Sequence, residues 1–209
     1  MFETQNLLLF IISGFLLNIT PGADTLYILG RSGTQGFRGG AVAAMGIGAG
    51  CFVHIVAATA GLSALLVASA TAFSVIKFVG AAYLVYIGFS LLRSSSAAIT
   101  DIKSLPVTNL RSIFWQGFLT NALNPKVALF FLAFLPQFIA TDAVHKSLAL
   151  FFLGILFNIN GTIWNVFVAW ASSQLMQQLK RSGSITQWFN KTIGGLFVFL
   201  GIKLAISHS

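Results

Sequence analysis

The sequence predicts an all-α polytopic membrane protein, six transmembrane helices arranged as two inverted three-helix repeats. Three observations predict it. Of the 209 residues, 56% are hydrophobic and only 8% are charged, where a soluble domain carries roughly 25%. So few charged side chains cannot cover a water-facing surface of this size, so lipid is the solvent for most of the chain. Six apolar runs approach or exceed the ~20 residues that cross a bilayer, and the last three echo the first three.

The runs lie near 6–29, 40–68, 72–92, 113–139, 148–171 and 188–206. The first begins at the N-terminus itself. Met1-Phe2-Glu3-Thr4 has no basic n-region and no small-residue cleavage site follows, so this reads as a helix start and not a signal peptide. The second carries a stripe at i, i+4, i+8 of Gly46, Gly50 and His54; Gly-xxx-Gly favours close helix packing, within the chain or in a homo-oligomer. The third is followed by the longest connection, 93–112, with Ser94-Ser95-Ser96 and Pro106, the boundary between halves 1–92 and 113–209 of one transporter domain. The fourth contains Pro125 and Lys126. The fifth has Asn158, Thr162 and Asn165 at i, i+4, i+7, one face that lipid would not tolerate and that therefore points to a cavity or an interhelical interface. The sixth has Lys191 and Lys203 near its ends, both able to snorkel. The runs are continuous, without the alternation of a barrel strand, and helices are the remaining way to satisfy a backbone in lipid.

Basic residues set the orientation. One set of connections holds Arg31, Arg38, Arg93, Lys103, Arg111, Lys180, Arg181 and Lys191; the other holds only Lys77, Lys146 and Lys203. The positive-inside bias puts the first set in the cytoplasm and both termini on the periplasmic side of the membrane. The net charge of +8 is spread singly or in pairs, without a patch that nucleic acid would need. Cys51 is the single cysteine, which excludes an internal disulfide, a cysteine metal site and a membrane thiol–disulfide carrier.

The repeat is visible in three places. Gly14-Phe15-Leu16-Leu17-Asn18 matches Gly117-Phe118-Leu119-Thr120-Asn121, and each is followed by a proline, Pro21 or Pro125. Lys77-x-x-Gly80 matches Lys191-x-x-Gly194. The Gly46/Gly50/His54 stripe corresponds to Gly154/Asn158/Thr162. Three spans is an odd number, so the second half enters the membrane upside down, and corresponding broken helices in such repeats mark the binding site of secondary transporters.

Both prolines therefore mark a candidate substrate site. Proline lacks an N–H and clashes one turn back, freeing the carbonyls of Leu17 and Asn121. It also pushes Thr20 and Asn124 out of helical geometry. Polar groups crowd the breaks, Asn18, Thr20 and Asp24 at the first and Asn121, Asn124 and Lys126 at the second, and Pro21, Gly22 and Pro125 complete the candidate site. A charge at the bilayer centre costs about 2.5–3.5 kcal/mol on insertion scales, so Asp24 and Lys126 need a reason. Two are compatible: a structural ion pair, or a zwitterion site in which Asp24 meets an ammonium and Lys126, with a helix N-terminus, meets a carboxylate. Asp24 and His54 are the candidates for proton coupling; His54 could equally be a hydrogen-bonded packing residue.

Thr20-Pro21-Gly22, Lys77-x-x-Gly80-Ala81-Ala82-Tyr83-Leu84, Gly117-Phe118-Leu119-x-Asn121-x-x-Asn124-Pro125-Lys126, Phe130-Phe131 and Leu135-Pro136-Gln137-Phe138 resemble the lysine exporter family, most of all its branch named for resistance to homoserine and threonine. The resemblance implies a bacterial inner-membrane exporter of small amino acids or derivatives, driven by the proton gradient and needing no cofactor. That branch commonly has Pro-Gly-Pro where this chain has Pro21-Gly22-Ala23, so a milder first break is expected. No catalytic signature appears: there are four acidic residues, and His145 and His208 lie outside the spans. A cation carrier would want more carboxylates or sulfurs, and a lipid-phosphate carrier would want arginines deep in the membrane.

Overall fold

The computed structural model describes residues 4–62, 106–140 and 143–179, with single helical positions between 75 and 89 and at 198 and 202. The expected spans at 72–92 and 188–206, their Lys-x-x-Gly match and most of the 93–112 connection lie outside the described residues. The described residues are helical throughout their long segments.

Helix α1 is Leu7–Ile19. It stops where Thr20 turns extended (ψ 117°) ahead of Pro21, the geometry a following proline imposes. Helix α2 begins at Ala23, runs to Ala57 and ends in one π turn, Ala58–Leu62. The first break is thus complete despite Ala23 standing in place of a second proline: one proline and an extended Gly22 suffice.

Inside α2, Gln35 and Gly36 leave helical geometry, Gly36 at φ +65° and ψ −167°, a region open essentially to glycine alone. The chain reverses there. In a straight helix Ser32 and Gly40 would stand about 12 Å apart, yet a Cβ on Gly40 would run into the Ser32 side chain. Ile28 and Ala44 share one buried cluster, and Asp24 and Gly48 line one cavity. These pairs lie four, eight and twelve residues either side of Gly36. The two arms of α2 are therefore an antiparallel hairpin, the first arm following α1 beyond the Pro21 break and the second returning beside it. The expected connection between 29 and 40 is correct in place but shrinks to two residues, because both flanks stay helical.

Helix α3 is Leu110–Ala122, started by Asn109, whose Oδ1 accepts from Ser112 N at 2.7 Å, an ordinary N-cap. After Leu123 the next helix, α4, restarts at Pro125 and runs to Leu129, extended by a π turn (Phe130–Phe134) and a 3-10 turn (Leu135–Phe138). Asn124 caps it with its Oδ1 on Lys126 N at 3.0 Å, and proline takes the first helical position, where its missing N–H costs nothing. The two pieces meet at 43°, so the residues of the expected fourth span form a bent helix pair. Helix α5 is Lys146–Leu179. By length and apolarity Ala23–Gly61 and Lys146–Gln174 qualify as membrane spans, and the bent α3–α4 pair makes a third.

The two broken helix pairs, α1 with the first arm of α2 and α3 with α4, run antiparallel. The start of α1 meets the end of α4, Gln5 N donating to Phe138 O at 2.8 Å. The end of α1 meets the start of α4 through Lys126 and Leu17. Beyond the breaks, Asp24 meets Asn121 and Tyr27 meets Ile113. The second arm of α2 and α5 are also antiparallel, with Gly40 against Ala169, Gly48 against Thr162 and Ile55 against Gly154.

The glycine stripe packs within the chain. Cβ atoms on Gly46 and Gly50 would enter the carbonyls of Phe114 and Phe118, and one on Gly117 would stand 2.7 Å from the Ala43 carbonyl. Helices α2 and α3 touch backbone to backbone, as small residues allow in lipid. Two buried clusters result. One is aromatic, with Phe10, Phe130, Phe131, Phe134, Phe138 and Phe157; Phe130 stacks on Phe157 at 4.9 Å and Phe134 meets Phe138 at 5.0 Å. The other is small-sided: Ile28, Ala43, Ala44, Ile47, Ile113 and Ala169.

Candidate functional site

The cavity between the breaks lies at the seam of these clusters. Leu17, Cys51, Val127 and Phe157 line it from the aromatic side and Ile47 from the other. Its polar lining is Asn18, Asp24, Thr25, Asn121, Lys126, Asn158, Thr162 and Asn165. Seven of these eight are residues that the sequence singles out; α5 does turn its Asn158/Thr162/Asn165 face inward. The volume is about 20 Å³, room for one or two waters at roughly 10–15 Å³ each. This is a closed state, too small for any amino acid.

The proline-freed carbonyls are both occupied by basic side chains from elsewhere. Lys126 Nζ donates to Leu17 O at 3.1 Å and to Thr20 O at 3.0 Å, so its ammonium caps the negative C-terminal end of α1. Gly22 makes room for it: a Cβ there would stand 3.3 Å from Nζ. Asn121 O meets His54 Nε2 at 2.8 Å. A carbonyl can only accept, so Nε2 carries a proton. His54 is buried, with Phe131 6.0 Å away.

Asp24 does not close an ion pair with Lys126 among the described residues. Its Oδ2 accepts from Asn121 Nδ2 at 2.9 Å and Asn124 Nδ2 at 3.1 Å. Its Oδ1 is buried without a hydrogen-bond partner, and so are Asn121 Oδ1 and Asn18 Nδ2. Each buried polar atom left alone costs about 1–3 kcal/mol. Three such atoms on residues lining one cavity leave two acceptors and one donor for a guest. Pro21 and Pro125 touch no guest space themselves; they create the carbonyls that hold the lysine and the histidine.

Several contributors are not legible as such in the sequence. Gly48 and Gly161 set the walls: a Cβ on Gly48 would stand 2.8 Å from Thr162 Oγ1, and one on Gly161 2.9 Å from Asn18 Oδ1. Gly48 is camouflaged between Gly46 and Gly50. Cys51 lines the cavity although the sequence offers it only as an unpaired thiol. Arg31, which reads as a topology signal, is itself buried beneath the site, bonded to Tyr27 and to the exposed Gln116.

A family model described as LysE type translocator matches residues 15–208. An uncharacterized membrane protein, YrhP, of Bacillus subtilis (strain 168) is 30% identical over 97% of this chain and all of its own length. Proteins named homoserine/homoserine lactone efflux protein in Salmonella typhi and Salmonella typhimurium (strain LT2) are each 28% identical, covering 94% of both chains. No solved structure matches.

Proposed function

This chain belongs to the LysE-type translocator family, and on that premise we propose that it exports small amino acids or close derivatives, of the homoserine, threonine or homoserine-lactone kind, by proton-coupled antiport across the bacterial inner membrane. One observation carries the reading. Asp24, at the break of one antiparallel span, keeps Oδ1 buried and unpartnered, while Oδ2 is fixed by two asparagines from the break of the other. A carboxylate so oriented, beside the free Asn121 Oδ1, suits a substrate ammonium. Asn18 Nδ2 and the third Lys126 proton suit the carboxylate or carbonyl at the substrate's other end. Asn158, Thr162 and Asn165 line the far wall.

In this mechanism Asp24 exchanges the substrate ammonium for a proton from the periplasmic side, and His54 is the second proton carrier. The broken spans supply the movement: each half-helix can tilt at its break without losing internal hydrogen bonds. A charge crossing 100 mV is worth about 2.3 kcal/mol, which is enough to drive export against a gradient. Both termini face the periplasm, and six spans in two inverted halves complete the fold. The efflux proteins named above, similar over nearly their full length, support the substrate class.

The test is uptake into everted membrane vesicles, which reports export, with labelled amino acids and homoserine lactone under an imposed proton gradient. Wild type should accumulate one or a few of them; Asp24→Asn and Lys126→Ala should not. Accumulation that survives both substitutions sinks the site, and accumulation without a proton gradient sinks the coupling. Failure of every amino compound moves the chain to a different small solute on the same fold.

A further inference from the structure

The two ends of the cavity are closed by different materials. Toward the end where α1 begins and α4 finishes lies the aromatic cluster, a plug several rings thick. Toward the hairpin turn of α2, among the described residues, lies a cluster without a phenylalanine, built on three isoleucines and three alanines, and then a polar network. Arg31, 3% exposed, donates from Nε to the Tyr27 hydroxyl at 3.2 Å, from Nη1 to Pro106 O at 2.8 Å and from Nη2 to Gln116 Oε1 at 2.6 Å. The Tyr27 hydroxyl lies 3.0 Å from Ile113 O and 3.1 Å from Gln116 Oε1, to one of which its single proton goes. Gln35, at the turn itself, exchanges two bonds with Thr108: Nε2 to Thr108 O at 2.8 Å and Thr108 N to Oε1 at 3.1 Å.

These bonds join the first arm of α2 to the stretch 106–116 and to nothing else among the described residues. Among the described residues, every acceptor of the guanidinium is neutral. A buried cation held by neutral oxygens gains less from its partners than from an anion, and it trades them for water at small cost once water reaches it, because a net hydrogen bond is a small difference. Gln116 is already exposed, so one edge of the network is open. An aromatic plug has no such exchange available. Tyr27 and Arg31 are one and two turns from Asp24 on the same arm, so release of the arm bears directly on the cavity.

We propose that Arg31, Tyr27, Gln35 and Gln116 form a latch that closes the cavity on the side of the α2 turn, and that breaking it opens the site to that side. The positive-inside bias assigns this end, with Arg31, Arg38 and Arg111, to the cytoplasm, where an exporter loads. The proposal rests on the transporter reading but not on any particular substrate.

Cys51 provides the readout. It is the chain's single cysteine, it lines the cavity and it is 3% exposed. A membrane-impermeant, positively charged methanethiosulfonate is applied to everted vesicles, exposing the cytoplasmic face, and to right-side-out vesicles. Arg31→Gln, Arg31→Lys and Gln116→Leu should each raise the modification rate from the cytoplasmic face about tenfold, as loss of one charge-assisted bond would, and leave the rate from the periplasmic face unchanged. Wild-type rates in all three overturn the latch. Equal acceleration from both faces also overturns it, since that reports a loosened fold. A fast Arg31→Gln with a wild-type Arg31→Lys overturns it too, because charge alone would then close the end. Should the Arg31 variants fail to accumulate, Tyr27→Phe and the exposed Gln116→Leu carry the same test. The readout needs no substrate: latch variants that label fast in a protein that moves no amino compound sink the amino-acid reading and leave the latch.

Discussion

At the scale of the residue, the backbone carbonyls at the two proline breaks explain most of the polar chemistry inside the membrane. Leu17 O and Thr20 O hold the Lys126 ammonium, and Asn121 O holds the His54 ring. Lysine is thereby a structural cap as well as a wall of the cavity. Lys126→Met should destabilise the protein by about 1.5–3 kcal/mol, the worth of a hydrogen bond to a charged group, read as a lower midpoint of thermal denaturation in detergent. Asp24→Asn keeps the shape and an acceptor for Asn121 and Asn124. It should leave that midpoint within about 1 kcal/mol while abolishing gradient-driven uptake. His54→Gln can still donate to Asn121 O but cannot titrate. If His54 carries a proton, this variant folds normally and loses stimulation by the gradient; retained stimulation removes His54 from the coupling path.

At the scale of the element, α2 and α3 touch through glycines, so this contact has almost no tolerance. Gly50→Leu and Gly117→Leu should each fail to give folded protein, since the new side chains meet the Phe118 and Ala43 carbonyls and backbone cannot yield as a flexible side chain can. Gly161→Ala is gentler. It presses on the Asn18 amide and should lower uptake more than stability, because overpacking a mobile side chain costs at most about 1–3 kcal/mol. These elements were unequally legible. Both helix breaks and the inward face of α5 could be read because proline chemistry is local and covalent, and because asparagines at helical spacing have few homes in lipid. The Gly46/Gly50 packing was legible for the same kind of reason. The burial of Arg31 was not: counting basic residues in connections treats each as solvated, and nothing local distinguishes an arginine that folds under its own turn. Nor could Gly48 be told from its two neighbours, as its role depends on which residue of α5 lies opposite.

At the scale of the molecule, the described pairs of spans are antiparallel about one closed cavity, with a thick aromatic seal on one side and a thin polar one on the other. That asymmetry predicts that wild-type Cys51, in the resting protein, is modified faster from the cytoplasmic face than from the periplasmic face; the reverse order would mean that the aromatic cluster is the readier gate. The two-residue turn at Gln35 and Gly36 has a further consequence, for which changes of chain length the protein can survive. Exposed turns usually absorb insertions, and this one, with Gly36 and Arg38 in the open, has the look of such a site. It is not one. Each residue of a helix turns the next by about 100°, and the second arm of α2 faces the first in a register counted outward from Gly36. One alanine added after Gly36 would swing Gly48 and Cys51 away from Asp24 and carry Gly46 and Gly50 off α3. The same alanine added after Val144, which is 79% exposed between α4 and α5, should be harmless. Of two surface connections that look equally expendable, one is free to vary and the other sets the phase of the whole transport path.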